Sequence, residues 1–216
     1  MKGDVYHILN RGVEKRKVFL NEKDYFRFVY SLYDFNNKDT TSLSYWNRRK
    51  YNDHSAIRKP KKSKDNQLVD ILCWCLMPNH YHILVQEKSD GGASMFSKKI
   101  SSGYTQYFNL KNKRSGVLFQ GKSKIIQIKQ DDHFMYLPYY IFSNPIKLIE
   151  KEWKEKGIRN HKKVMGFLEN YKWSSFLDII EKNNFSFIIN SKSFFDLFGL
   201  NKKQFQKWIF GYRIAE

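Results

Sequence analysis

The stretch that decides the fold is residues 74–85, which read WCLMPNHYHILV. Apolar residues fill both halves of it, and Pro78-Asn79 interrupts them. Dense apolar runs of this length are typical of strands that are buried on both faces of a sheet. We predict strands over Leu68–Met77 and His80–Gln86, either as two antiparallel neighbours or as one strand broken by a bulge at Pro78-Asn79. Both are expected in the interior of the sheet.

The flanking sequence predicts the rest of the domain. Its elements are a strand at Val5–Asn10, a helix after an Asn21 cap, a helix at Ser94–Asn109, a strand at Gly116–Lys129 and a helix from Asp131 to about Asn144. This order favours an α+β fold, a ferredoxin-like antiparallel sheet with helices packed on one face. Residues 1–148 would form this domain, and 149–216 a C-terminal helical extension.

The charge of the chain points to a polyanionic partner. Its 216 residues include 39 Lys and Arg against 21 Asp and Glu, which gives a net charge of +18 and a pI near 9.7. Lysine and arginine release counterions when they neutralise phosphates, so DNA or RNA accounts for the excess. A basic protein without a nucleic-acid role stays an alternative, because charge alone reports on non-specific binding.

A long polar and basic segment separates the first helix from the second strand. It spans Asn36–Gln67 and includes Arg48 and Arg49. Loops of this length are uncommon unless they are functional or disordered. The segment is either an arm that grips a nucleic-acid strand, with these two arginines as candidate DNA contacts, or a solvated linker.

Cysteine usage and hydropathy bear on the cellular compartment. Cys73 and Cys75 share one face of the predicted strand and cannot easily bridge each other, so we expect buried free thiols in a reducing cytoplasm. The first residues lack the apolar run of a signal peptide, and no stretch of 18 apolar residues occurs. The prediction is a cytoplasmic protein without a membrane partner.

Two histidines on one predicted strand could bind a metal ion. His80 and His82 are two residues apart, so their side chains point to the same face, while Tyr81, Ile83 and Val85 point to the other and pack on helices. Two imidazoles on one face can converge on a single cation. Histidines at this spacing also occur in purely structural roles, and the pair alone does not decide.

A tyrosine and an asparagine on the predicted helix supply the context. Tyr140 and Asn144 are four residues apart, so both side chains lie on one helical face. Two imidazoles and one carboxamide leave coordination positions open, which suits catalytic Mg²⁺ or Mn²⁺. The hydroxyl of Tyr140 could then attack a phosphate. The rival tyrosines are Tyr104, Tyr136 and Tyr139.

Several segments, in order, resemble the REP-associated tyrosine transposases, a group of the HUH single-tyrosine transposases. These segments are residues 74–85, Asn10-Arg11-Gly12, residues 104–109 (YTQYFN), residues 116–122 (GVLFQGK) and residues 140–145 (YIFSNP). The match covers roughly residues 5–178. The chain departs from the family at Lys122-Ser123-Lys124, where an arginine is common, and lysine keeps the charge but loses bidentate phosphate geometry.

The resemblance implies roles for particular residues. His80 and His82 would bind the metal, Asn144 would be a third ligand, and Tyr140 would be the nucleophile. The implied reaction nicks single-stranded or hairpin DNA and rejoins it through a 5′-phosphotyrosine link, by a monomer or a homodimer. The implied DNA contacts are Arg11, Gln120, Lys122 and Lys124.

Two alternatives remain within this resemblance. One is a catalytically silent protein of the same fold that binds single-stranded or hairpin DNA. The other is a relaxase or replication initiator, which the short length and the missing helicase region disfavour.

Overall fold

The structure, a computed structural model, describes residues 1–39, 66–129, 132–201 and 203–205. Its strands are β1 (Val5–Arg11), β2 (Val69–Met77), β3 (His80–Glu87) and β4 (Lys124–Ile128). Its α-helices are α1 (Glu22–Asp34), α2 (Gly92–Lys111), α3 (Asp132–Ser143), α4 (Trp153–Lys156), α5 (His161–Leu168), α6 (Phe176–Ile179) and α7 (Ser191–Phe198). Short 3₁₀ turns cover Val13–Lys15 and Asn144–Leu148.

The strands form one antiparallel sheet in the order β2-β3-β1-β4. Helix α1 connects β1 to β2, and helix α2 connects β3 to β4. Together with the strand order, this is the predicted ferredoxin-like topology. Strands β2 and β3 are antiparallel neighbours joined at Pro78-Asn79, which decides between the two alternatives for that stretch. The capping prediction is also confirmed, since the Asn21 side chain accepts a hydrogen bond from the backbone N–H of Asp24.

One face of the sheet packs on α1 and α2. Tyr81, Ile83 and Val85 are fully buried there, as their alternation on β3 predicts. They meet Phe28 of α1 and Ile100 of α2 in the larger of two apolar clusters. The main hydrophobic core therefore lies on this face of the sheet. His80 and His82 point to the opposite face.

The opposite face is also covered by helices, which corrects the expectation of helices on one face alone. Cys73, Cys75 and Leu84 lie in a second cluster with residues of α3 and of the C-terminal helices, among them Phe142, Phe176 and Phe194. Because β2 is apolar at nearly every position, both of its faces need cover from water. The two cysteines are buried and unpaired, as predicted, and burial raises the pKa of both thiols.

The strand predicted over Gly116–Lys129 is wrong over its first half. Only Lys124–Ile128 pairs with β1, and residues 116–123 form a loop. Gly116 and Gly121 take positive φ angles of 84° and 79° there, which other residues adopt at a cost. The loop does not continue the β4 ladder but is held to the end of β1 by a hydrogen bond, in which the N–H of Gln120 donates to the carbonyl of Arg11 at 2.8 Å.

The helix predicted to end near Pro145 does so. It ends at Ser143, and the chain turns into the 3₁₀ segment that begins with Asn144-Pro145. The helix tolerates Pro138 in its interior.

A C-terminal segment closes one edge of the sheet. The N–H of Leu76 donates to the carbonyl of Trp173 at 2.9 Å, and the N–H of Ser175 donates to the carbonyl of Trp74 at 3.0 Å. Ser174 forms an isolated bridge with Cys75 between them. Residues 173–175 thus cover the outer side of β2.

The residues around the long insertion are only partly described. Asn36 caps the start of β2, where its side chain accepts from the N–H groups of Leu68 and Val69. Arg48 and Arg49 lie outside the described residues, and their predicted role stays a prediction. No helix in the described residues is long and apolar enough to cross a membrane.

Gly12 occupies a turn that has no room for a side chain. A Cβ at this position would lie 2.3 Å from the carbonyl oxygen of Arg16 and 2.8 Å from Cγ1 of Val18. We expect Gly12→Ala to lower the free energy of unfolding by about 1–3 kcal/mol, as overpacked sites do. Urea unfolding followed by circular dichroism measures this change.

The matched control for this variant is Gly166→Ala. Gly166 lies in α5, where a Cβ would meet nothing within 4 Å, and alanine is favoured in a helix by about 0.5–1 kcal/mol. An unchanged midpoint for Gly12→Ala would show that the turn after β1 relaxes without cost.

Candidate active site

His80 and His82 lie side by side at the start of β3. Their ring centroids are 5.1 Å apart, and the rings are nearly perpendicular. His82 is 2% exposed, and His80 is partly buried. The shared face that the sequence predicts for them is therefore present.

A second side chain orients each of these imidazoles. Nδ1 of His80 lies 2.6 Å from Oδ1 of Asn79, which can only accept, so the proton sits on Nδ1 and Nε2 keeps a lone pair. Nδ1 of His82 lies 2.9 Å from Nε2 of His7. His7 belongs to β1, and register with Leu84 places it on the same face as His82. Partners of this kind fix tautomer and ring orientation in metal sites.

Both histidines are held in the neutral form. Burial is the main cause that lowers the pKa of His80 to about 4, and the positive charge of Arg11 acts in the same direction, whereas the side chain of Asn144 acts in the opposite direction. Burial and the neighbouring His7 and His80 hold the pKa of His82 well below its usual range. Neutral imidazoles keep the electron pair that a metal ion requires.

Tyr140 projects from α3 against the histidines. Its ring lies edge-on to His82 at a centroid distance of 5.5 Å and to His7 at 6.4 Å. Among the rivals, Tyr104 is fully buried and donates its hydroxyl to the carbonyl of Val18 at 2.6 Å, a structural role. Tyr136 packs near Tyr140, with ring centroids 6.3 Å apart.

Asn144 links the helix to the histidines. Its Nδ2 donates to the carbonyl of Tyr140 at 2.7 Å, one helical turn back, and its side chain lies close enough to His80 to affect the pKa of that histidine. The side chain is 7% exposed. With the amino group bound to Tyr140, the amide oxygen is the atom that can serve as a ligand beside His80.

Three cations surround this group. Nζ of Lys154 lies 4.3 Å from the ring centroid of Tyr140, within cation–π distance. Arg11 pairs in register with His80, and its charge, like those of Lys147 and Lys154, disfavours protonation of that histidine. Burial and the charge of Lys147 lower the pKa of Lys154. The candidate site is thus electropositive and suited to a phosphate.

The residues present fit a divalent cation with open coordination positions. Among the described residues, no three His, Cys, Asp or Glu side chains are arranged to hold one metal ion. The donor set would therefore consist of the neutral His80 and His82 and the amide oxygen of Asn144. This set suits a weakly held catalytic ion and not a closed structural site.

Comparison with solved structures supports the fold. The chain is similar to a REP-associated tyrosine transposase solved bound to a REP hairpin. The two share 15% sequence identity, with a TM-score of 0.51, over 85% of this chain and 83% of that one. At this identity the likeness concerns the fold.

A second solved structure, tRNA(His) guanylyltransferase from Saccharomyces cerevisiae, matches at 11% identity and a TM-score of 0.36, over 97% of this chain and 83% of that one. No protein-family model matches the sequence. No curated protein matches it either.

The predicted DNA contacts divide between the two sides of the sheet. Arg11 and Lys124 lie on the histidine side. Arg11 pairs with His80, and Leu9 pairs with His82 on one side and with Lys124 on the other, so all of these residues share one face of the sheet. Lys122 lies on the other side, in the loop before β4, and Gln120 is exposed in the same loop.

The residues that sequence reasoning missed are His7, Asn79, Lys147 and Lys154. Asn79 precedes His80 in the sequence quoted at the start. An asparagine in a turn can hydrogen-bond residues on either side of it, so the sequence alone did not show that it contacts His80. His7 could have been found only from the register of β1 against β3, because single strands do not reveal their partners. Lys147 and Lys154 sit in a lysine-rich segment that marks no one lysine as special.

Proposed function

We propose that the protein nicks single-stranded DNA and transfers the strand through a 5′-phosphotyrosine link at Tyr140, with Mg²⁺ or Mn²⁺ as cofactor and hairpin DNA as substrate. The observation that carries the proposal is the position of Tyr140. Its ring contacts His82 under the positive charge of Lys154, next to Asn144 and His80.

In the proposed reaction, basic residues bind the phosphate and Tyr140 attacks it. Arg11, Lys147 and Lys154 bind and orient the scissile phosphate. The hydroxyl oxygen of Tyr140 attacks phosphorus, and the bond between phosphorus and the 3′ oxygen breaks. Solvent takes the tyrosine proton, and the departing 3′ oxygen takes a proton. Attack by another 3′-hydroxyl on the link reverses these steps and joins a new strand.

His80, His82 and Asn144 would hold the divalent ion. When bound, it would polarise the phosphate oxygens and neutralise developing negative charge. Asn79 would keep His80 in the required tautomer, and His7 would hold the ring of His82 in its orientation.

The likeness to a transposase that was solved with a REP hairpin supports hairpin DNA as the substrate class. The net charge of +18 supports a nucleic acid more generally.

The test is a covalent-adduct assay on hairpins from the DNA flanking the gene. Each hairpin is labelled at its 3′ end or at its 5′ end, and incubated with the protein in Mn²⁺, Mg²⁺ or EDTA. We expect the 3′ label to shift to the protein band on a denaturing gel, to require the metal and to be released by protease. The 5′ label should appear on a shortened free strand. Tight binding without any adduct would indicate a catalytically silent DNA-binding protein.

Lys154 gives a prediction within this mechanism. We expect Lys154→Gln to slow adduct formation by about 10-fold or more at saturating DNA, because it removes the positive charge next to Tyr140. Single-turnover rates measure the effect, and Lys154→Arg should restore most of the rate.

The control is Lys156→Gln on the same helix. Lys156 forms an exposed ion pair with Glu152 at 2.8 Å and should be dispensable, as exposed pairs are weak. Equal rates for the wild type and Lys154→Gln would remove Lys154 from the mechanism.

A further inference from the structure

A long groove runs along α2 on the side of the sheet away from Tyr140. Its walls are α2 and the segment of residues 113–125, and its volume is about 1210 Å³. That volume exceeds the roughly 300–1,000 Å³ typical of small-molecule pockets. We call it the α2 groove, and its size favours an extended ligand.

The charge of the α2 groove has one sign. Lys98, Lys113, Arg114 and Lys122 line it, and none of the described lining residues is acidic. Lys98, Lys113 and Lys122 are exposed. Arg114 is held in place, since it donates to Oδ1 of Asn109 at 2.6 Å and to the carbonyl of Val117 at 3.0 Å. Lys98 lies in the first half of α2, Lys113 and Arg114 follow its C-terminal end, and Lys122 lies just before β4, so the cations come from more than one wall of the groove.

Hydroxyl and amide side chains make up much of the remaining lining. Seven serines and threonines and two amides face the groove. Together with lysine and arginine, these side chains are the ones that contact nucleic-acid phosphates and sugars. Two of the lining serines, Ser101 and Ser123, hydrogen-bond each other and the hydroxyl of the buried Tyr81, with the three oxygens within 3.0 Å of one another. Leu110 and Val117 add exposed apolar surface at the rim.

The loop that walls the groove also borders the candidate active site. Phe119 forms a bridge with Gly12, next to Arg11, which lies beside His80. Lys122 faces the groove, while Lys124, two residues later, is on the histidine side of β4. Since β4 is an edge strand of the described sheet, a strand could pass from the groove over this edge to Tyr140.

We propose that the α2 groove binds the sugar-phosphate backbone of a second segment of the DNA substrate, distinct from the strand that reacts with Tyr140. The proposal rests on the proposed function for the identity of the polymer. The groove would then position the folded or paired part of the DNA, while the reacting strand crosses β4.

The test uses a double variant, Lys98→Gln with Lys122→Gln. The matched control is Lys162→Gln with Lys163→Gln, two exposed lysines in the first turn of α5 that change the net charge equally. Two DNA probes are compared: a hairpin with a single-stranded flank, and the flank alone. Affinities are measured by fluorescence anisotropy over a series of salt concentrations, with thermal melting to confirm folding.

We expect the groove variant to bind the hairpin about 10-fold more weakly, with the slope of log affinity against log salt reduced by about 2, because two phosphate contacts are lost. Affinity for the flank alone should change less than about 2-fold, and the control variant should match the wild type. Equal losses in both variants would overturn the proposal in favour of long-range charge. Unchanged hairpin binding would also overturn it.

The outcome is separable from that of the proposed function. If Tyr140 forms no adduct but the groove variant still binds the hairpin more weakly than the control, strand transfer is rejected and the proposed role of the α2 groove stands. If the adduct forms normally but the groove variant binds the hairpin as tightly as the control, the role of the α2 groove is rejected and strand transfer stands.

Discussion

Tyr140→Phe is expected to abolish the covalent protein–DNA adduct while DNA binding stays within about 2-fold of the wild type. The variant removes a single oxygen atom, the proposed nucleophile, and leaves the ring that packs on His82 and His7. Loss of a covalent nucleophile lowers such rates by about 10³-fold or more. Single-turnover incubation with 3′-labelled hairpin DNA and a denaturing gel measure the adduct, and anisotropy in EDTA measures binding.

Tyr136→Phe is the matched control for this experiment. Tyr136 lies on the same helix, and its ring centroid is 6.3 Å from that of Tyr140. The control should form the adduct at nearly the wild-type rate. If the adduct persists in Tyr140→Phe and disappears in Tyr136→Phe, the nucleophile has been misassigned and the neighbouring tyrosine takes its place.

His80→Ala is expected to eliminate metal-dependent nicking and to weaken Mn²⁺ binding by about 10-fold or more, since one of the two proposed imidazole ligands is lost. His80 is the better position to replace, because it is partly exposed, whereas truncation of the buried His82 would leave a cavity. Calorimetric titration with Mn²⁺ gives the affinity directly and does not depend on the DNA reaction.

His161→Ala serves as the control for the loss of a histidine. His161 is exposed at the start of α5, on the surface of the C-terminal region. It should leave both Mn²⁺ affinity and nicking unchanged. Wild-type Mn²⁺ affinity in His80→Ala would place the ion elsewhere, and the histidine pair would then be structural.

The fold could be predicted from the sequence wherever local patterns act alone. Alternation along residues 80–87 places Tyr81 opposite the histidines, and Asn21 with Asp24 marks the start of α1, both as observed. Loop 116–123 could not be predicted, because its apolar Val117, Leu118 and Phe119 resemble a strand. The loop forms because Gln120 bonds to the end of β1, a contact distant in sequence.

Half of the candidate site could be predicted in the same way. The pair His80 and His82 follows from a period of two, and Asn144 lies one helical turn from Tyr140. His7 and Lys154 required the assembled structure. His7 reaches His82 only through the pairing of β1 with β3, and Lys154 reaches Tyr140 from a short helix whose placement no local pattern fixes.

The segment 173–175, which bonds along β2, has a consequence for the solution behaviour of the protein. An open strand edge invites another chain to pair with it, and such pairing is a common start of aggregation. Here one outer strand is occupied by the chain itself, and the other, β4, has only five residues and begins with an exposed lysine. Growth of the sheet by addition of foreign strands is therefore discouraged at both ends, which favours dispersal at the high concentrations that the proposed binding measurements need.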